Sequence, residues 1–369
     1  MRLALWGGIV YTFARQLGGD LSNNEVLLPI LIFALLTAGY LLASVAPVAQ
    51  RLHQYAADQP VVMAFIPLAL LIPFVLYGRL YGALEPIDVL TAAVLLFLPT
   101  ALALLNTPNA RAADIPLGLV VVAMPLLLPL TRSVSIDAAG MLLRAGAFAL
   151  PLILLIVTTR EQRKRLNFLF LCAVLSLWYC IEFNAFPSFA LPGQEESLSY
   201  FQLAAIPLFM FILAVSGRFS GLGLSFAPSP RGLSIVTSNL VVFALIAVPV
   251  GLVTRFLIPT APSLDFLGAL SRAFSIYLFI ALPEEILFRG TLLRYLGDTY
   301  RWSGPVIIVV SSLIFGASHL NNPPNIGWYF ALATVAGVFY ARAYLMTKNV
   351  GAAATLHTAV NWLWLMIFR

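Results

Sequence analysis

Apolar residues run along this chain in long blocks, not in the strict alternation of a half-buried strand. Blocks long enough to cross ~30 Å of hydrocarbon recur near residues 27–47, 61–78, 89–106, 115–130, 140–159, 166–186, 200–216, 233–254, 266–297, 304–320, 327–346 and 351–368. The blocks at 115–130 and 200–216 are short and read equally well as re-entrant. The pattern predicts an all-α fold: a polytopic integral membrane bundle of about 10–12 transmembrane helices. Strands are not expected. Lipid cannot satisfy an open sheet edge, and barrel strands would alternate polar and apolar residues. Residues 2–17, interrupted by Arg15, are too short to span and read as an interfacial or re-entrant helix.

Composition removes the soluble alternatives. Of the 369 residues, 61% are apolar and 10% charged, against roughly 25% charged in a soluble domain. So few charges cannot cover a water-facing surface. The net charge of +6 sits in short loops, the pattern of membrane orientation, so nucleic acid is not an expected partner and the lipid bilayer is. The basic cluster Arg160, Arg163, Lys164 and Arg165 is expected on the cytoplasmic side. Alternation then places Glu195 and Glu196 outside, Arg218 and Arg231 inside, Arg294 and Arg301 inside, the uncharged loop 321–325 outside, and Arg342 and Lys348 inside. Cys172 and Cys180 lie in one apolar run and read as small hydrophobes. The Gly-, Ser- and Pro-rich stretch 217–232 divides the chain into an N-terminal multi-helix region, 1–230, and a C-terminal domain, 231–369.

Charges inside apolar blocks are where chemistry is expected, because each costs at least ~2.5–3.5 kcal/mol to insert. After residue 260 they cluster. Pro283-Glu284-Glu285-Ile286-Leu287-Phe288-Arg289-Gly290 holds adjacent carboxylates and an arginine. On a helix Glu285 and Arg289 face each other at i,i+4, and Glu284 is turned about 100° away. Phe315-Gly316-Ala317-Ser318-His319 ends one apolar block, and His357 and Asn361 stand one helical turn apart in the last. If 266–297 and 304–320 form a hairpin, Glu284 and His319 lie about 20 and 23 Å from its turn. His357 and Asn361 lie only about 9–15 Å into their helix and need tilt or an earlier start to reach the same height.

Glu-Glu-x-x-x-Arg, Phe-x-x-x-His and His-x-x-x-Asn, in that order on apolar segments, resemble the motif series of the CPBP intramembrane proteases, which include the CAAX prenyl endopeptidases and relatives linked to bacteriocin processing and self-immunity. The resemblance covers about 235–369. It implies a glutamate-dependent endopeptidase that hydrolyses a peptide bond in a membrane-associated protein or peptide. Glu284 would be the base that activates water together with His319. His357 and Asn361 would stabilise the oxyanion. Glu285 and Arg289 would support them. The residue types point to no required cofactor. A zinc ion, if one were bound, would fall to Glu284, His319 and His357, but Asn is a poor zinc ligand and Glu284 cannot easily be ligand and base at once. A multi-pass location follows, in the plasma membrane if the source is bacterial.

Each cluster alone has a structural reading: an ion pair locking helices, a helix-end histidine, an interhelical hydrogen bond. A proton-coupled transporter is a second reading of the Glu/His set, although paired halves with broken helices are not seen. A catalytically idle scaffold or immunity protein is a third. Glu195-Glu196 lacks the following arginine, since residue 200 is Tyr. Arg144 and Glu182 near helix ends can snorkel, and His53 reads as a loop residue. Trp328, Tyr329, Trp362 and Trp364 suit interfacial belts or packing. There is no H-E-x-x-H. Leu17-Gly18-Gly19-Asp20 lacks the first glycine of an aspartyl motif, and Ser225 lacks the glycine of a rhomboid-type serine.

Overall fold

The computed structural model describes residues 71–80, 84–93, 138–157, 167–182, 229–260, 266–320 and 325–368, with scattered positions between 48 and 69 and at 208 and 212. The described residues are mostly helical and contain no strand, only an isolated bridge between Pro259 and Phe368. The predicted spans 27–47 and 115–130, nearly all of 200–216, the short helix 2–17, His53, the 160–165 cluster, Glu195-Glu196 and the stretch 217–228 lie outside the described residues. Chain contacts divide the molecule into two units, Leu27–Gly221 and Met1–Val26 with Leu222–Arg369.

In the first unit the described helices are α1 (Leu71–Leu80), α2 (Pro86–Ala92), α3 (Ala138–Val157) and α4 (Asn167–Glu182). Helices α3 and α4 pack together. They bury Ala149, Leu152 and Leu155 against Phe170, Ala173, Val174 and Leu177, the three-and-four spacing of a helix face.

Among the described residues the second unit holds five helical rods. Helix α5 (Pro230–Val253) starts where Ser229 accepts from the Gly232 N–H at 3.1 Å and Pro230 takes the first turn, a favourable N-terminus on both counts. Rod α6 runs as Phe266–Ile276, a π-helical stretch Tyr277–Ala281, an α-turn Leu282–Glu285, a second π-helical stretch Ile286–Leu293, and Arg294–Tyr300. Then follow α7 (Gly304–Ala317), α8 (Ile326–Thr347) and α9 (Val350–Ile367). Helices α5, α8 and α9 are long and apolar enough to cross a membrane.

Three of the turns between rods share one device. Arg255, Arg301 and Lys348 have φ of 53–56°, and they follow the last turns of α5, α6 and α8. The left-handed region costs a residue with a Cβ about 1–2 kcal/mol. A cation at a helix C-terminus offsets part of that by meeting the negative end of the helix dipole. Close approach of α7 and α8 rests on glycines: a Cβ on Gly316 would collide with Thr334 Oγ1 and lie 2.8 Å from the Phe330 carbonyl, and one on Gly337 would lie 3.1 Å from Ser312. Small residues let membrane helices pack backbone to backbone. The same holds at the start of α9, where Gly351, Ala352, Ala353 and Ala354 are all buried.

Candidate active site

Glu284 and Glu285 occupy the α-turn between the two π-helical stretches of α6. A π turn is wider than an α turn and recurs at functional sites. This break in the ladder is not visible in the hydrophobic pattern, which predicts one continuous helix. Glu284 and His357 meet, with 3.9 Å between Oε2 and Nε2, so the height mismatch expected from regular helix geometry does not keep them apart.

Glu285 and Arg289 form the expected i,i+4 pair, Arg289 Nη1 to Glu285 Oε1 at 3.0 Å, and both side chains are 0% exposed. The pair reaches well beyond its own helix. Arg289 Nη2 donates to the Gly337 carbonyl on α8 at 3.0 Å, and its guanidinium carbon lies 4.5 Å from the Phe315 ring centre and 5.3 Å from that of Tyr340. A fully buried guanidinium is tolerable only with partners of this kind.

His357 arrives from α9 and is buried. Its Nδ1 lies 2.9 Å from the Glu285 oxygen that also receives Arg289. A carboxylate paired with arginine only accepts, so Nδ1 must carry the hydrogen. The other nitrogen, Nε2, lies 3.9 Å from Glu284 Oε2. That separation is within ion-pair range and longer than a hydrogen bond. The two adjacent glutamates thus meet the two nitrogens of one imidazole, and Glu284 is the more open of the pair, with its side chain 34% exposed.

His319 lies just past α7, in a turn where its N–H donates to the Gly316 carbonyl at 2.9 Å. Its Nδ1 is 2.9 Å from the Phe315 carbonyl. A carbonyl only accepts, so Nδ1 is protonated here too and Nε2 keeps its lone pair. Ser318 Oγ donates to the same carbonyl at 2.6 Å and lies 3.0 Å from His319 Nδ1. Phe315 joins the two histidines: its ring centre is 4.9 Å from that of His319 and 5.7 Å from that of His357. Asn361 is half-buried on α9, one turn beyond His357, and its side chain has no hydrogen bond among the described residues.

Four of the six motif residues are therefore joined by polar contacts: Glu284, Glu285, Arg289 and His357. His319 is joined to them through an aromatic ring, and Asn361 shares a helix face with His357. Among the described residues no three His, Cys, Asp or Glu side chains group as a metal site.

Helix α8 carries neighbours that motif reading does not single out. Tyr340 stacks on His357 with ring centres 4.6 Å apart and planes at 16°, and Tyr329 stacks on His319 at 5.1 Å and 22°. Tyr329 thus packs against a motif histidine and also meets Trp364 and Phe256. Trp362 donates to the Ala269 carbonyl at 2.8 Å, which ties α9 to the start of α6. Among 13 Tyr and 26 Phe, no spacing signal marks these two tyrosines.

No curated protein and no solved structure matches the chain. The apolar spans and the family match together make this an integral membrane protein. Over residues 266–363, the segment that holds all six motif side chains, the chain matches the family model described as Rce1-like, type II CAAX prenyl endopeptidase Rce1-like, so the resemblance to the CPBP family read from the motifs holds for this segment.

Proposed function

We propose that this protein is an intramembrane endopeptidase that hydrolyses a peptide bond near the C-terminus of a lipidated, membrane-held chain, with water activated by Glu284. The observation that carries the reading is the bracketed imidazole. Glu284 Oε2 stands 3.9 Å from His357 Nε2, while Glu285, itself paired with Arg289, holds the Nδ1 edge of the ring, inside the segment matched to an endopeptidase family.

The atoms divide the work as follows. A water molecule presents two hydrogens, and two acceptors are available, the Glu284 carboxylate and the Nε2 lone pair of His319. Glu284 takes the proton as water attacks the scissile carbonyl. The oxyanion then needs donors in a dry setting. Asn361 supplies its amide N–H. His357 supplies Nε2–H, with Nδ1–H held by Glu285. Glu284 returns its proton to the leaving amine. Glu285 and Arg289 fix the His357 ring and do not touch the substrate. This chemistry uses no metal.

The test is cleavage of a farnesylated peptide ending in a CAAX sequence by the full chain in proteoliposomes, against the same peptide without the lipid. Release of a C-terminal fragment from the lipidated peptide, lost in His357→Ala and His319→Ala, supports the reading. No cleavage of either peptide by the folded wild-type protein overturns it.

A further inference from the structure

Both motif histidines lie flat against tyrosines of one helix that contributes no motif residue. Tyr329 and Tyr340 are eleven residues apart on α8, three turns at 3.67 residues per turn, so they share one face. The His357 stack is the tighter, with Tyr340 itself 1% exposed. Tyr340 also lies under the Arg289 guanidinium at 5.3 Å and beside Phe315 at 5.8 Å. The backbone of the same helix accepts from Arg289 at Gly337, three residues before Tyr340.

A single hydrogen bond to Nδ1 fixes which nitrogen carries the proton, but its angular tolerance leaves the imidazole room to turn about Cβ–Cγ. A flat ring against the imidazole removes this freedom. At His357 the remaining nitrogen must point at Glu284, 3.9 Å away, and a modest rotation would take it elsewhere. At His319 the Nδ1–H to Phe315 carbonyl bond leaves the same freedom, and Tyr329 closes it. We propose that Tyr340 and Tyr329 are positioning residues that set the ring planes of His357 and His319, so that α8 aims the working nitrogens of both. This role rests on the peptidase reading for its purpose, while the positioning itself is measurable without a substrate.

The chain has three histidines, so imidazole-¹⁵N labelling of the full-length protein in nanodiscs resolves each ring by NMR. In Tyr340→Leu the Nδ1–H signal of His357 is expected to broaden or shift while that of His319 stays in place. In Tyr329→Leu the pattern reverses. Tyr340→Phe keeps a flat ring and should keep the wild-type spectrum. In the peptide assay Tyr340→Leu should lower kcat about tenfold, the order of one aromatic pair, with KM within about twofold, and Tyr340→Phe should match wild type. Unchanged His357 signals in Tyr340→Leu, both rings moving together, or a Tyr340→Phe protein that behaves like the leucine variant would each overturn the proposal. A wild-type protein that cleaves nothing would overturn the peptidase reading alone, and the spectra would still decide the positioning.

Discussion

Rod α6 contains two ion pairs at the same i,i+4 spacing in opposite surroundings, and their contrast gives a sharp stability prediction. Arg289 and Glu285 are 3.0 Å apart with both side chains fully buried, whereas Arg294 and Asp298 are 3.2 Å apart with side chains 43% and 64% exposed. Replacing Arg289 with Met leaves a buried carboxylate facing an apolar side chain and removes the second bond accepted by the Gly337 carbonyl, which its own helix still satisfies. Breaking one partner of such a pair costs about 3–5 kcal/mol. His357 Nδ1 stays at 2.9 Å from Glu285 and can compensate part of the charge, which favours the lower end. Replacing Arg294 with Ala should cost less than ~0.5 kcal/mol, as for exposed helix pairs. The double variant Glu285→Gln/Arg289→Met removes both charges and keeps an amide oxygen able to accept from His357, so it should recover most of the loss. Reversible unfolding in SDS-containing mixed micelles, followed by tryptophan fluorescence, reads all of these. An Arg289→Met protein within 1 kcal/mol of wild type, or a double variant as unstable as the single, would refute the reasoning.

Three further outcomes follow from packing, backbone and charge. Gly316→Val should force α7 and α8 apart, since the added Cβ meets Thr334 and the Phe330 carbonyl, and should cost about 1–3 kcal/mol in the same unfolding assay. Lys348→Gly should raise stability by about 1 kcal/mol, because glycine adopts the left-handed φ of 53° without the Cβ penalty, less the small loss of a cation at the end of α8. In a Cys172→Ser/Cys180→Ser background, single cysteines at positions 301 and 348 should react with an impermeant maleimide from one side of a sealed vesicle and one at 325 from the other, as the alternation of α6 to α9 requires.

The helical class and the location of the polar cluster were legible because lipid imposes severe constraints. Long apolar blocks can only be helices, and a charge inside one must be there for a reason. The Glu285–Arg289 pairing was legible for a local reason, since i,i+4 neighbours face each other whatever the tertiary fold. Other features depend on contacts that sequence spacing does not encode. The π-helical stretches around Glu284 and Glu285 leave hydropathy unchanged, because they alter hydrogen-bond partners and not side-chain polarity. Motif spacing on separate helices did not pair Glu284 with His357, since that meeting depends on how α6 and α9 cross. Tyr340 and Tyr329 are typical aromatic residues of an apolar chain until the histidines are found lying against them. Two of the three left-handed turns fall on Arg301 and Lys348, which the pattern already uses for orientation, so nothing in the sequence separates their second role.

The central claim is that the Glu284 carboxylate removes the proton from the attacking water. Its most direct test is the single-turnover rate of lipidated-peptide cleavage by Glu284→Gln, an isosteric change at a half-buried side chain that leaves the Glu285–Arg289 pair in place. Loss of a general base removes about 10²–10⁴-fold in rate, so the account predicts a fall of at least a hundredfold with an unfolding midpoint equal to wild type. A Glu284→Gln protein that cleaves at the wild-type rate would contradict it.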